Sequence, residues 1–152
     1  MKRILIADND HSFAELLASR LRAKGLQAET AFDAVQTLKA VLRHSPDAIV
    51  LEVRVPISEE LLTLRRLCTL TASTPVVVVT ASADPALPRA VANFGVKAFL
   101  RKPVSAEEVH ATLRWAMGEG DAPARFAPDE ETPPEREPRS SVIPILGEAV
   151  GL

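Results

Sequence analysis

The sequence predicts a doubly wound α/β fold in which a five-stranded parallel sheet is flanked by five helices. Short continuous runs of apolar and β-branched residues, typical of strands buried on both faces, alternate with longer segments whose apolar residues recur at helical spacing. Gly25 and Gly95 directly follow the first and fourth helical segments, where a left-handed residue commonly ends a helix. Strands that alternate with helices in this way pair in parallel through right-handed crossovers.

Four of the predicted strands have the composition of buried strands, and one is weaker. The buried strands are residues 3–7, 48–53, 76–80 and 97–100. The weaker strand, residues 26–31, mixes polar with apolar residues. We therefore expect it at or near an edge of the sheet.

Helical spacing of apolar residues predicts the helices that separate these strands. The first four helices are marked by Phe13, Leu16, Leu17 and Leu21; by Ala34, Val35, Leu38, Val41 and Leu42; by Leu61, Leu64 and Leu67; and by Ala90, Val91 and Phe94. The fifth helix is predicted to begin after Ser105, because Glu108 stands three residues later and completes a capping box. Its inward-facing residues are predicted to be Val109, Leu113 and Ala116.

Composition divides the chain of 152 residues into a domain and a tail. We predict that residues 1–118 form the domain and that residues 119–152 form a tail. The tail holds six of the twelve prolines, and its acidic first part has too few large apolar residues to offset the entropy of ordering. We therefore predict that it is disordered. Its apolar C-terminal segment, residues 140–152, either docks on a partner or on the domain itself, or is dispensable.

Charge and cysteine content exclude several classes of protein. The net charge is −2, with residues 1–120 near neutral at +2 and residues 121–152 at −4, so the domain has no electrostatic footprint for nucleic acid. The single Cys68 cannot form an internal disulfide, and no apolar run approaches the length of a membrane span or a secretory signal. We expect a cytoplasmic, soluble protein that binds neither nucleic acid nor membrane.

Polar residues follow the strands at the edge where doubly wound sheets bind their ligands. These residues are Asp8, Asn9, Glu52, Thr80 and Lys102. Carboxylates gathered this closely need a cation, which is either Lys102 or a hard metal such as magnesium. A glycine-rich phosphate cradle is excluded, since both glycines in the body of the fold end helices. The acidic first loop would also repel a phosphate-bearing cofactor.

Four short segments at these strand ends form an ordered pattern. They are Asp8-Asn9 after the first strand, residues 47–56 (DAIVLEVRVP) on the third, Thr80-Ala81 at the end of the fourth, and residues 99–103 (FLRKP) on the fifth. Each segment alone is a weak signal, but their order along the chain is specific. The set covers the chain from residue 2 to residue 117 and resembles the receiver domain of bacterial two-component response regulators.

The resemblance implies a chemistry for the strand ends. In the family a histidine kinase delivers a phosphoryl group to a strand-three aspartate, whose position here holds Glu52, and magnesium neutralises the developing charge. The implied metal site consists of Asp8, Asn9 and Glu52, with Asp10 as an additional candidate ligand. The implied partner surface is formed by helix four, strand five and helix five. The implied phosphate-sensing and switch residues are Thr80, Phe99, Lys102 and Pro103, the last after a cis peptide bond.

Two residues of the implied site depart from the pattern of the family. Glu52 replaces the acceptor aspartate, and its carboxylate lies one methylene, or about 1.5 Å, further out, which is enough to disturb in-line attack. Asn9 replaces the second strand-one acid, and the lost charge weakens the expected magnesium site, an effect that Asp10 offsets in part. Glu60 also stands where the family usually has a glycine.

These departures predict an atypical receiver, or pseudo-receiver, that is not phosphorylated in the usual way. We expect a stand-alone signalling domain that is not an enzyme, has no catalytic residue of its own and acts by binding a protein partner, with a histidine kinase as one candidate. In this hypothesis Glu52 extends towards Lys102 and Thr80 and partly imitates an acyl phosphate, which favours the active form without a kinase.

Three other interpretations stay open. Glu52 and Lys102 can form a purely structural ion pair. The domain can instead be a functional phosphoacceptor in a two-component phosphorelay, with Asp8 and Asp10 sharing the metal. A small hydrolase or flavodoxin-like enzyme is disfavoured, because the sequence has neither a phosphate loop nor a nucleophile paired with a base.

Overall fold

The computed structural model describes residues 1–54, 59–70 and 72–123, with the backbone alone for residues 59–61. The predicted tail beyond residue 123, including its apolar C-terminal segment, lies outside the described residues. So do residues 55–58 of the third-strand motif and the side chain of Glu60. Among the described helices, none is long and apolar enough to cross a membrane.

Five strands and five helices alternate along the described chain, as the sequence predicts. They are β1 (Arg3–Ala7), α1 (His11–Ala23), β2 (Gln27–Ala31), α2 (Ala34–His44), β3 (Ala48–Leu51), α3 (Glu59–Leu70), β4 (Val76–Thr80), α4 (Leu87–Ala92), β5 (Ala98–Arg101) and α5 (Ala106–Ala116). All strand pairs are parallel, in the order β2-β1-β3-β4-β5. The doubly wound fold is therefore confirmed, and the weaker strand β2 lies at an edge.

The sheet is buried on both faces because successive side chains of each strand point to opposite sides. On one face, Ile4 and Ile6 of β1 belong to a core that contains residues of α1 and α5. On the other face, Leu5 belongs to a second core, which contains residues of α2, α3 and α4. The predicted inward residues of α5, Val109, Leu113 and Ala116, are buried in the first core.

Local capping signals fix the ends of several helices. Ser105 accepts a hydrogen bond from the backbone N–H of Glu108 at 3.0 Å, which confirms the predicted start of α5. Asp10 and Asp33 cap α1 and α2 in the same way. Gly25 follows α1 with a φ of +93°, a conformation that glycine adopts without steric cost.

Helical spacing predicted where α1 and α2 lie but not which of their apolar side chains are buried. Leu17, Leu21 and Val41 are buried, whereas Leu16 and Val35 are exposed. A broad set of apolar positions on a helix leaves the direction of the core undetermined until the helix packs on the sheet. The exposed positions are therefore a property of the tertiary structure.

We expect the neighbouring leucines of α1 to differ in their contribution to stability. Leu17 is 4% exposed and Leu16 is 57% exposed. Leu17→Ala should lower the free energy of unfolding by about 2–4 kcal/mol, because it removes apolar atoms from a packed core and leaves a cavity. Leu16→Ala, the matched control on the same helix, should change it by less than about 1 kcal/mol. Urea denaturation of the full chain measures both; equal losses would contradict the orientation of α1.

Candidate functional site

Three charged side chains meet where β1, β3 and β5 end. The Lys102 ammonium donates hydrogen bonds to Asp8 Oδ2 at 2.8 Å and to Glu52 Oε1 at 3.1 Å. Their side-chain exposure is 3% for Asp8, 6% for Glu52 and 14% for Lys102. We call these three residues the acid–lysine cluster. Charges this well removed from water stay ionised only when they are paired, so the cluster holds together as a unit.

The register of the sheet brings these residues together. Ala7 of β1 pairs with Leu51 of β3, so the residue that follows each strand, Asp8 and Glu52, stands next to the other. The backbone N–H of Glu52 donates to the Ala7 carbonyl at 2.9 Å, which extends this pairing by one residue. Lys102 directly follows β5, and its N–H donates to the carbonyl of the last β4 residue at 2.7 Å.

Burial changes how two members of the cluster bind protons. Loss of solvation, together with the hydrogen bond and the negative charge of Asp8, raises the pKa of Glu52 to about 7, while Lys102 acts in the opposite direction. Burial by itself would lower the pKa of Lys102, but Asp8 and Glu52 outweigh it and raise that pKa. Near neutral pH the cluster therefore contains one ammonium, and Glu52 is divided between its protonated and ionised forms.

One aromatic ring of α1 contacts the cluster, and a stacked pair of rings borders the loop beside it. The Lys102 ammonium lies 4.0 Å from the centroid of the Phe13 ring, a cation–π contact that stabilises its charge. The His11 ring stacks on Phe32 with centroids 3.8 Å apart and planes inclined by 13°. Sequence reasoning missed these roles, since it used Phe13 only as a marker of α1. The available signal was the position of Phe13 three residues after the capping Asp10, beside the acidic loop.

A cavity of about 180 Å³ adjoins the cluster. Asp8 and Glu52 form part of its wall, so the acids border both Lys102 and open space. Its volume is sufficient for a few water molecules or a small hydrated group. Other residues of its wall are Asn9, Phe32, Asp33, Thr37 and Arg54.

The remaining predicted switch residues occupy separate positions at this edge of the sheet. The buried Thr80 hydroxyl donates to the Val53 carbonyl and accepts from the Ser82 N–H at 3.0 Å. Phe99 is partly buried against the second core, with the Arg101 guanidinium carbon 5.4 Å from its ring centroid. Within the described residues, no hydrogen bond joins the Thr80 hydroxyl to the acid–lysine cluster. Pro103 follows a cis peptide bond, as expected from the resemblance.

The donor atoms of the predicted metal site are largely engaged already. Asp8 Oδ1 accepts the N–H of Asp10 at 2.8 Å, and Asp8 Oδ2 binds Lys102. Asp10 Oδ1 caps α1 through the N–H of Phe13 at 3.0 Å. In the described part of the chain, no three acidic, histidine or cysteine side chains are arranged to hold a metal. The oxygen donors suit magnesium in type, and Lys102 already occupies one oxygen of Asp8 and one of Glu52.

Comparison with known proteins places this geometry in a family. The family model of the response regulator receiver domain matches residues 4–114. Response regulator MprA of Mycobacterium sp. (strain KMS) is 32% identical over 128 residues, which are 84% of this chain and 53% of that relative. The chain therefore spans about half the length of the curated relatives that it matches.

Solved structures show the same fold at lower sequence identity. A CheY-like receiver domain protein from Methanospirillum hungatei JF-1 has a TM-score of 0.72 and 22% identity, covering 78% of this chain and 94% of that one. A response regulator protein from Burkholderia pseudomallei was solved with a phosphorylated aspartic acid, calcium ion and citrate. It has a TM-score of 0.69 and 24% identity, and the match covers 78% of this chain and 69% of that one. With most of the chain matched by the family model, this protein belongs to the response regulator receiver domain family.

Proposed function

We propose that this receiver domain signals through protein–protein contact in an atypical way, without the usual phosphorylation step. The observation that carries the proposal is the acid–lysine cluster, in which Lys102 already holds Glu52 and Asp8 at hydrogen-bond distance. In this proposal Glu52 stands at the acceptor position of the family. The lysine that would pair with a phosphoryl group instead contacts the carboxyl group of Glu52 at 3.1 Å.

Three properties of Glu52 make it a poor nucleophile for phosphoryl transfer. Its carboxylate stands about 1.5 Å further from the backbone than that of an aspartate, which disturbs in-line geometry. One of its oxygens is bound to Lys102. Its pKa of about 7 also leaves much of the protein, near neutral pH, with a protonated carboxyl group that cannot attack.

The same contact can take the place of the phosphoryl signal. An ionised Glu52 presents a negative group to Lys102, as an acyl phosphate on the acceptor would. We propose that this pair favours the active arrangement of the switch residues Thr80, Phe99 and Pro103. The partner would then bind the face formed by α4, β5 and α5, in the cytoplasm, with a histidine kinase as one candidate partner and nucleic acid excluded.

Magnesium plays a reduced part in this proposal. Asp8, Asn9 and Glu52 would hold it, with Asp10 as a further ligand once its cap contact opens. When bound, the ion would neutralise negative charge at the acceptor. Asn9 contributes a neutral oxygen where a second acid would contribute a charge, and Lys102 competes for the remaining two carboxylates, so we propose that binding is weak.

The second candidate is a functional phosphoacceptor in a phosphorelay. The cavity beside Glu52 favours it, because about 180 Å³ leaves room for an incoming phosphoryl group. The ionised fraction of Glu52 would supply the nucleophile. The two candidates differ in whether a covalent adduct forms.

We expect no phosphoryl adduct on the unmodified chain after incubation with magnesium and a small acyl-phosphate donor, as measured by intact mass. Glu52→Asp shortens the side chain and restores the family's acceptor, so this variant should gain the mass of one phosphoryl group. Glu52→Ala serves as the negative control. A stable adduct on the unmodified chain that is lost in Glu52→Ala would establish the phosphorelay candidate instead.

If Glu52 imitates an acyl phosphate, the NMR spectrum of the unmodified chain should resemble that of the phosphorylated Glu52→Asp variant. In amide NMR spectra, the resonances of α4, β5 and α5 in the unmodified chain should lie nearer to those of phosphorylated Glu52→Asp than to those of the unphosphorylated variant. Glu52→Ala should shift them towards the unphosphorylated positions, since it removes the negative group from Lys102. Spectra of Glu52→Ala and the unmodified chain that coincide on this face would leave Glu52 as a structural ion pair.

The raised pKa of Glu52 predicts a pH dependence of stability. Between the ordinary value of 4.5 and about 7, the folded state binds more protons than the unfolded chain. The contribution of Glu52 is therefore full below pH 4.5 and is lost as the pH rises through 7, at about 1.4 kcal/mol for each pH unit in that window. Over the window the loss should reach roughly 2–3 kcal/mol.

Glu52→Gln should remove this decline, because glutamine resembles the protonated acid at every pH. Urea denaturation from pH 4.5 to 8, with a chelator present, should show the variant gaining stability relative to the unmodified chain as the pH rises. The exposed Glu15→Gln on α1 is the matched control and should follow the unmodified chain. Parallel curves for the unmodified chain and Glu52→Gln would contradict the assigned proton binding.

A further inference from the structure

Helix α2 carries apolar residues on the side that faces away from the sheet. Val35 is 61% exposed and Leu42 is 68% exposed, and Leu38 lies between them, partly buried. These positions recur at intervals of three and four residues, so they form one stripe along the helix. The opposite side of α2 packs against the sheet, where Ala40 and Val41 are buried in the second core. We call Val35, Leu38 and Leu42 the α2 stripe.

We propose that the α2 stripe is the docking site for an apolar segment of the same chain, residues 142–146, whose sequence is VIPIL. This segment is far more apolar than the acidic, proline-rich stretch before it. An extended apolar segment that packs on a helix removes apolar surface of both from water. The proposal does not depend on the role of Glu52.

The described chain ends near the end of the sheet where α2 also ends. Glu119, just after α5, forms an ion pair with Lys2 at 3.6 Å. The next residue, Arg3, donates through its guanidinium to the carbonyl of His44, the last residue of α2, at 3.3 Å. Lys2 directly precedes β1 and Arg3 begins it, so both contacts lie at the end of the sheet where the strands begin. The chain therefore leaves the domain at the same end of the sheet as the last turn of α2, which carries Leu42, but from α5 on the opposite face.

The intervening chain is long enough to reach the stripe. Residues 124–141 separate the last described residue from the segment. A flexible chain of this length has a root-mean-square end-to-end distance of about 23 Å, and a proline-rich one is longer. The whole of α2, with 11 residues, is only about 16 Å long. Fully extended, 18 residues span about 60 Å, so the connecting chain can pass around the sheet and still reach the α2 stripe.

Charge favours the same arrangement. The exposed residues Lys39 and Arg43 lie on α2 beside the stripe, one helical turn apart. The connecting residues 124–141 contain five acidic and three basic side chains, with three of the acids consecutive at positions 129–131. Attraction between this acidic stretch and the basic border of the stripe would hold the segment near α2.

The small size of the stripe favours a segment of the same chain over a second copy. A stable dimer buries about 800 Å² on each partner, far more than one exposed valine and one exposed leucine provide. A tethered segment needs much less, because the tether gives it an effective concentration in the millimolar range. Weak apolar contact is therefore sufficient within one chain.

Hydrogen exchange of the full chain, followed by mass spectrometry at sub-second labelling times, tests the proposal. Peptides that cover residues 142–152 should exchange at least about tenfold more slowly than expected for an unstructured peptide of the same sequence. Leu42→Asp should abolish this protection, and so should Ile145→Asp, which changes the other side of the contact. Leu16→Asp is the matched control: it places the same charge at an exposed leucine of α1, on the opposite face of the sheet, and should preserve the protection.

Two outcomes would overturn the proposal. One is exchange of residues 142–152 at the unstructured rate in the unmodified chain, or protection that persists in Leu42→Asp while circular dichroism shows the variant to be folded. The other is protection that rises with protein concentration together with a doubled mass in light scattering, which would assign the stripe to a second copy. Protection that is independent of concentration, and lost in Leu42→Asp and Ile145→Asp alone, supports docking within one chain.

Discussion

Two buried carboxyl groups that share one ammonium are the constraint on which the functional end of this domain depends. Asp8 and Glu52 are both shielded from water, and the Lys102 ammonium contacts both of them. Lys102 reaches them from β5, two strands away from β3 in the sheet. Any movement of β5 relative to β1 and β3 would therefore separate opposite charges in a poorly solvated place. The cluster ties the position of β5, and of the α5 that follows it, to the state of two carboxyl groups.

The ratio of two carboxyl groups to one ammonium explains why the pKa of Glu52 is raised. One ammonium balances one carboxylate, and Asp8 lies closer to Lys102 than Glu52 does, at 2.8 Å against 3.1 Å. The second carboxylate is then in excess, and burial makes that excess costly, so a proton becomes the alternative counter-ion near neutral pH. A divalent ion would be another. Proton and lysine thus compete for the same oxygens, and a bound metal would join that competition.

The sequence predicted those features that depend on local or strongly patterned signals. Strands β1 and β4 were predicted to the residue because they are short apolar runs bounded by polar or turn residues, and the start of α5 followed from the Ser105 cap. The convergence of Asp8, Glu52 and Lys102 followed from parallel topology alone. The end of β3 was predicted two residues too far, because Glu52 and Val53 remain buried after the strand ends. The contact of Lys102 with Phe13, and the exposure of Val35 and Leu42, depend on how helices pack on the sheet and have no local signal.

Helix α2 borders the cavity and also carries the proposed docking stripe. Its first turn and the preceding Asp33 form part of the cavity wall beside the acid–lysine cluster, while its outward side carries the α2 stripe. If a change of charge at Glu52 moved the cavity wall, a rigid α2 would carry that shift to Val35 and Leu42. If docking at the stripe differs in affinity between the two charge states of Glu52, the coupling is reciprocal: the docked segment changes the proton affinity of Glu52 by the same factor. The size of that factor depends on how far α2 moves. A segment that binds both charge states of Glu52 with equal affinity leaves the proton affinity of Glu52 unchanged.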